Sequence, residues 1–178
     1  MSKHRALIWV LERGKTLVWV IAALLLFAAT ASAEEAEPFA VVQLGAAGEW
    51  GLPNGGSSFG PTAAVEFTPI KNWLVIDTGV TPLFSRGQTE WNTDFLFKKP
   101  FDLSPTVEFE PGIGPAWVHT TGGGRTTDSV AAEVVFDFMF WSTRERKFGW
   151  FFEPSYSYDF GRGQQSFGLS VGLLIGIP

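Results

Sequence analysis

The segment AAEVVFDFMFW, residues Ala131–Trp141, carries two carboxylates, Glu133 and Asp137, inside an otherwise apolar run. Side chains on a β-strand point alternately to opposite faces, so counting by twos separates this segment into two sets. Val134, Phe136 and Phe138 belong to one set, whereas both acids belong to the other. On a helix the same residues would be spread over every side. The segment therefore predicts a strand with one bulky apolar face and one acidic face.

The first 33 residues have the pattern of a secretory signal peptide. A basic leader precedes an uncharged stretch at 17–29, and Ala31-Ser32-Ala33 follows as a signal-peptidase site. The alternative is a retained membrane anchor, but the apolar run is short for a span of roughly 20 residues. We expect cleavage after Ala33, which leaves residues 34–178 as one domain.

The composition of the remaining chain excludes several classes of protein. The leader takes four of the 13 Lys and Arg and one of the 18 Asp and Glu, so residues 34–178 carry a formal charge of −8. Such an acidic balance argues against a nucleic-acid partner. There is no cysteine, so neither a disulfide framework nor a thiol site can exist.

Alternating apolar and polar runs recur along residues 34–178, separated by clusters of Gly, Pro, Asn and Ser. They predict eight strands, at about 38–50, 61–69, 73–83, 89–98, 106–118, 129–141, 148–160 and 166–177. Connections rich in Gly and polar residues alternate with connections that carry Pro or basic charge. An even number of strands with two classes of connection predicts an all-β, up-and-down antiparallel barrel.

The distribution of charge and size predicts that the apolar face points outward. All basic residues of the domain fall in connections or at strand ends: Lys71, Arg86, Lys98, Lys99, Arg125, Arg144, Arg146, Lys147 and Arg162. The polar faces carry acids and small residues, and small residues suit the narrow interior of eight strands. The six Trp of the domain lie near predicted strand ends, as Trp50, Trp91 and Trp117 at one rim and Trp73, Trp141 and Trp150 at the other. Two aromatic girdles of this kind are typical of transmembrane barrels.

With these features the chain resembles the small eight-stranded outer-membrane β-barrel proteins of Gram-negative bacteria. The resemblance covers the whole domain, and the last strand, SFGLSVGLLIGIP (residues 166–178), looks like the assembly signal of such barrels, although it ends on Pro178 rather than an aromatic residue. The resemblance implies a location in the cell outer membrane and contact with membrane lipid and lipopolysaccharide. The family includes structural barrels, adhesins, narrow porin-like pores and lipid-modifying enzymes, so the fold does not assign a function.

The inward phase gathers an acidic cluster in the lumen. Its predicted members are Asp94, Glu108, Glu110, Glu133, Asp137 and Glu153, and Glu66, Asp77 and Asp159 share their phase. Folding neighbouring strands together sets Asp137 opposite both Glu110 and Glu153. Carboxylates so close cannot all remain ionised, so some are expected to hold a proton.

Two interpretations of the acidic cluster remain open. It forms a site or path for cations such as Ca²⁺, which prefer oxygen ligands. Alternatively it is an internal hydrogen-bond network in which Arg86, Arg125, Arg162 or Lys98 reaches in from the barrel ends. We favour the network, because barrels of this size are filled by their own side chains.

His119, Thr121 and Glu133 resemble in spacing the catalytic residues of outer-membrane lipid A deacylases, which use a His-x-Ser pair followed by Glu. Here Thr replaces Ser, His119 has the outward phase and Glu133 the inward phase, and the motif lies far from the last strands. We interpret His119 as a rim residue in a mobile loop and predict no catalytic residue. With one His in the domain a typical zinc site is excluded, and we predict neither a metal nor a cofactor.

These observations favour a non-enzymatic, monomeric outer-membrane barrel with a structural or surface-binding role and four polar loops outside. A narrow cation-preferring pore and a lipid A deacylase-like hydrolase are the alternatives.

Overall fold

The computed structural model describes residues 38–52 and 56–178, so the predicted signal peptide lies outside the described residues. These residues form nine strand segments: β1 (Ala40–Gly51), β2 (Ser57–Ile70), β3 (Leu74–Ser85), β4 (Gln88–Lys98), β5 (Phe101–Ser104), β6 (Val107–Gly122), β7 (Arg125–Trp141), β8 (Phe148–Asp159) and β9 (Gln164–Ile177). Across residues 38–52 and 56–178, no helix is long and apolar enough to cross a membrane.

The strands close into an antiparallel barrel in the order β1, β2, β3, β4, β6, β7, β8, β9, with β9 pairing back to β1. The closing pair is in register over its whole length, from Ala40 opposite Ile177 to Gly51 opposite Ser166. The predicted eight-stranded up-and-down barrel is therefore confirmed.

The ninth segment, β5, continues β4 along the same neighbour. Phe97 of β4 faces Ile113 of β6, and Phe101 of β5 faces Phe109 at the unchanged register. The break falls at Pro100, which has no N–H to donate to the ladder. The sequence predicts a connection at residues 99–105, and this prediction is wrong for the part that forms β5.

The hairpin between β6 and β7 is longer than predicted. Residues 119–128 were expected to form a loop, but β6 runs to Gly122 and β7 starts at Arg125. The turn consists of Gly123 and Gly124, whose φ angles of 56° and 75° lie in the left-handed region that glycine adopts without strain. His119 is therefore a strand residue and does not lie in a loop.

The two faces of each strand divide as predicted. The outer surface carries large exposed apolar side chains, among them Phe95, Phe97, Phe136, Phe152, Tyr156, Phe167, Val171 and Leu173. The acids on the alternate positions point into the lumen, and Asp137 is completely buried. Trp50, Trp91, Trp117, Trp73 and Trp150 are exposed. Trp141 is only 5% exposed and packs inside with Met139 and Phe151, so its predicted place in the girdle is wrong.

Candidate functional site

Lys98 lies at the centre of the lumen with its side chain completely buried. Its Nζ lies 2.6 Å from Glu66 Oε1, 2.6 Å from Asp77 Oδ2, 3.0 Å from Asp137 Oδ2 and 3.0 Å from Glu153 Oε2. One ammonium group therefore joins β2, β3, β7 and β8 from its own position on β4. A buried charge is stable only when it is paired and hydrogen-bonded in this way.

Local sequence explains how a lysine fits into so narrow a cylinder. Gly112 lies directly opposite Lys98 on β6. A Cβ atom on Gly112 would lie 2.6 Å from Cγ of Lys98 and 3.0 Å from Cγ2 of Val135. The missing side chain therefore leaves the space through which the lysine stem crosses the lumen.

The predicted cluster is brought together in part. Glu110 pairs with Asp137 across β6 and β7, as predicted. Val135 pairs with Ser155 and Phe138 with Phe152, a register that sets Asp137 opposite Glu153.

The other predicted acids lie at different heights. Asp94 and Glu133 line a cavity of about 50 Å³ on the side of Lys98 that faces the turn between β8 and β9. Glu108 lies towards the end of the barrel where β1 begins and β9 ends, and it contacts Arg146 there at 3.0 Å. The six acids thus share a lumen but do not form one site.

The buried acids near Lys98 outnumber the bases. Four carboxylates contact a single ammonium, and Gln43 Nε2 donates a further hydrogen bond to Asp137 Oδ2 at 2.9 Å. Even so, several buried oxygens have no hydrogen-bond partner among the described residues: Asp77 Oδ1, Asp94 Oδ1, Glu110 Oε2, Glu133 Oε2 and Asp137 Oδ1. Buried polar atoms are nearly always paired, so protons, water or a cation must complete this network.

Two arginines occupy the two ends of the lumen. Arg162, in the turn between β8 and β9, contacts Glu90 at 2.7 Å and Asp159 at 2.6 Å. Partial burial disfavours the Arg162 charge, but the hydrogen bonds to these two carboxylates outweigh it and raise the pKa of Arg162. At the opposite end Arg146 contacts Glu108 and Asp102.

The expectation that basic side chains reach in from the ends is therefore confirmed for Lys98 and Arg162. It is wrong for Arg86 and Arg125, which are exposed and make no ion pair with any described residue. Arg86 lies in the turn between β3 and β4, and Arg125 is the first residue of β7, so both side chains reach solvent at the end of the barrel.

The remaining space in the lumen is small and divided. A cavity of about 30 Å³ lies between Lys98 and Arg146, separate from the cavity of about 50 Å³ on the other side of Lys98. A wider polar cup of about 220 Å³ opens at the end that bears Arg162. An apolar cluster closes the lumen beside the ion pairs: Val41, Met139, Trp141, Phe151 and Leu174.

The residues with deacylase-like spacing do not meet. His119 Nδ1 lies 2.7 Å from Asp128 Oδ1, and its ring contacts Trp117 on the outer face. Thr121 Oγ1 donates to the backbone oxygen of Thr89, whereas Glu133 is buried in the lumen. The barrel wall therefore separates the base from the acid.

The sequence predicts Lys98 in a connection or at a strand end, and it predicts Glu66 and Asp77 outside the central cluster. A signal was present for the lysine. Phe95 and Phe97 have the outward phase, so continuing the alternation by one residue points Lys98 inward. The sequence around Glu66 or Asp77 does not show that both contact the same ammonium, because Glu66, Asp77 and Lys98 lie on three different strands.

The comparisons with known proteins identify the fold. No family model matches the chain, and no curated protein matches its sequence. Among solved structures, Neisserial surface protein A superposes with a TM-score of 0.65 at 16% identity, covering 78% of this chain and 97% of that chain. This chain has the fold of the small outer-membrane β-barrels.

Two further outer-membrane barrels agree with this identification. The N-terminal β-barrel domain of Pseudomonas aeruginosa OprF gives a TM-score of 0.56 at 13% identity, covering 76% of this chain and 97% of that one. Ail, the attachment invasion locus protein of Yersinia pestis, gives 0.54 at 10% identity, covering 79% and 99%. A closed barrel with an apolar exterior and a polar interior needs lipid around it. The chain thus has the fold of outer-membrane barrels of the Gram-negative type.

Proposed function

We propose that this outer-membrane barrel has a structural or surface-binding role, without enzymatic activity and without an open pore. The observation that supports it is the closure of the lumen at Lys98, where four carboxylates and the neighbouring apolar cluster fill the cross-section. An eight-stranded barrel encloses little more than its own side chains. Continuous passage of a solute would require this network to break.

The position of His119 on the outer face of the barrel supports a non-enzymatic role. A hydroxyl nucleophile needs its base and orienting acid within hydrogen-bond reach. His119 instead contacts Asp128 on the outer face, and Glu133 lies behind the barrel wall. The mass of lipid A, compared between cells with and without the protein, tests this assignment, and an altered acyl content would contradict it.

The hairpin of β6 and β7 is the candidate binding surface. A membrane strand needs roughly 9–11 residues, whereas β6 and β7 contain 16 and 17. The predicted topology has the four polar loops outside the cell. The end of the barrel where β1 begins and β9 ends then faces the periplasm, and this hairpin projects from the cell surface. Its exposed tip is polar: Arg125, Thr126, Thr127 and Asp128.

The chemistry of this tip does not point to a polyanion. Ail has been solved in complex with the heparin analogue sucrose octasulfate. In this protein Asp128 lies on the same strand as Arg125, and Arg86 lies in a different turn, so this tip carries no concentrated basic patch. Lipopolysaccharide and lipid remain the partners that the location itself supplies, and we propose that the barrel meets them as a monomer.

Planar-bilayer recording tests the closed lumen. The refolded protein should give no conductance steps, with a known outer-membrane pore in the same bilayer system as the positive control. Reproducible steps that pass cations in preference to anions would overturn the structural role.

Such steps would support the second candidate, a narrow cation-preferring pore. The observation that favours it is the surplus of carboxylates along the lumen, together with cavities on both sides of Lys98. In that case replacing Lys98 by Ser should increase the conductance, because the side chain that separates the two cavities is removed.

A further inference from the structure

Three buried carboxylates, Glu66, Glu110 and Asp137, form a compact oxygen cage near Lys98. Each of the three offers one carboxylate oxygen, and these three atoms lie within 4.8 Å of one another. Glu66 and Glu110 are 3% exposed, and Asp137 is completely buried. We propose that this cage binds one hard metal cation of the Ca²⁺ class inside the lumen.

Unpartnered oxygens at the cage point independently to a ligand. Glu110 Oε2 and Asp137 Oδ1 are buried without a hydrogen-bond partner among the described residues. Leaving a buried carboxylate oxygen unpaired is costly, and charged groups cost more than neutral ones. A cation bound by these two carboxylates would supply the missing partner.

The charge balance leaves room for a second positive charge beside Lys98. The ammonium of Lys98 already divides its charge among Glu66, Asp77, Asp137 and Glu153. Glu110 adds a fifth carboxylate at the same level, opposite Asp137. The negative charge therefore exceeds what one lysine offsets.

The carboxylate ligands and the size of the adjoining cavity indicate which class of ion the cage would bind. All three candidate ligands are carboxylates, which hard cations prefer over the soft or imidazole-binding metals. The adjoining cavity of about 30 Å³ is lined by Glu66, Glu110 and Trp141, and one water needs only ~10–15 Å³. Nε1 of Trp141 has no acceptor among the described residues, so it is placed to donate to a water on the ion.

A cation site in the lumen is one of the two interpretations of the acidic cluster that the sequence leaves open. Ion binding by the cage does not depend on the structural or surface-binding role. A bound ion would tighten the closed lumen, whereas a pore would need the same ion to leave. Conductance and ion binding are therefore separate measurements.

Terbium luminescence tests the cage, because Tb³⁺ replaces Ca²⁺ and is excited through a nearby tryptophan. The full barrel, refolded in uncharged detergent without lipopolysaccharide, should show Tb³⁺ emission that Ca²⁺ displaces. Trp141→Phe should remove most of the emission, since the other described tryptophans face outward. Emission that survives in Trp141→Phe would place the ion elsewhere and overturn the assignment.

Ligand variants give a second readout. Glu110→Gln should weaken Tb³⁺ binding by about tenfold or more, since even outer-shell partners of metals contribute 10–100-fold. The matched control is Glu145→Gln, an exposed acid in the turn between β7 and β8, which should leave binding unchanged. Equal binding in Glu110→Gln and the parent would also overturn the cage.

Stability provides a measurement that does not depend on light. Ca²⁺ should shift the urea midpoint of the parent upward and leave that of Asp137→Asn in place, with heat-modifiable gel migration showing that each variant has folded. A folded parent that neither binds Tb³⁺ nor responds to Ca²⁺ would show that protons or water complete the network instead.

Discussion

Nζ of Lys98 and Oδ2 of Asp137 lie 3.0 Å apart with both side chains completely buried. The two residues belong to β4 and β7, which are separated in the barrel by β6. Their contact therefore crosses the lumen instead of running along one strand pair. It joins parts of the barrel that backbone hydrogen bonds connect only indirectly.

Replacing Lys98 by Met should strongly destabilise the barrel. The change leaves four buried carboxylates without their shared cation, and breaking a buried ion pair costs about 3–5 kcal/mol. Equilibrium urea unfolding in lipid vesicles measures the loss. Lys71→Met, at an exposed turn position, is the control and should change stability by no more than ~0.5 kcal/mol. Equal stability of the two variants would show that Lys98 does not hold the network together.

Gly112→Ala should displace the lysine stem. The new Cβ would lie 2.6 Å from Lys98 Cγ, too close for an ordinary contact. Overpacking of this kind costs about 1–3 kcal/mol, which the same unfolding measurement detects. Gly56→Ala is the control, because a Cβ there meets no atom within 4 Å. A Gly112→Ala protein as stable as the parent would mean that the lysine takes another path.

Phe138→Arg should block assembly far more than Phe160→Arg. The Phe138 ring packs on the outer face against Phe109, with centroids 4.8 Å apart, and an arginine within the lipid-facing band costs up to about 2–4 kcal/mol. Phe160 follows the end of β8, where the cost is about 0–1 kcal/mol. The heat-modifiable fraction in outer-membrane preparations measures assembly. Similar fractions for the two variants would contradict the assigned position of the lipid face.

Brominated lipids should quench Trp150 and spare Trp141. Both residues lie near the same barrel end, but Trp150 stacks on Phe140 outside and Trp141 is buried in the lumen. Variants that retain one tryptophan each, refolded into vesicles with brominated acyl chains, permit the comparison. Strong quenching of Trp141 would return it to the lipid-facing girdle.

The alternation of residues along each strand, together with the distribution of charge and side-chain size, was sufficient to predict which side chains face lipid and which face the lumen. Phe136 and Asp137 are adjacent and point in opposite directions, and this follows from strand geometry without knowledge of any partner. The pairing of Glu110 with Asp137 also follows, because two neighbouring strands joined by one hairpin keep a simple register. Strand number, phase and the inward acids are thus properties of short segments.

Tertiary structure decided what those segments could not. Lys98 meets acids from β2, β3, β7 and β8, and their heights in the lumen depend on the register around the closed barrel. Trp141 has the inward phase of Asp137 and Met139, but its packing against Val41, Phe151 and Leu174 depends on three other strands. The continuation of β4 into β5 beyond Pro100 likewise depends on the length of β6 beside it. The local alternation of residues decides whether a side chain points to lipid or to the lumen. The contacts of a buried charge depend instead on closure of the barrel, because closure brings residues distant in sequence into one low-dielectric space.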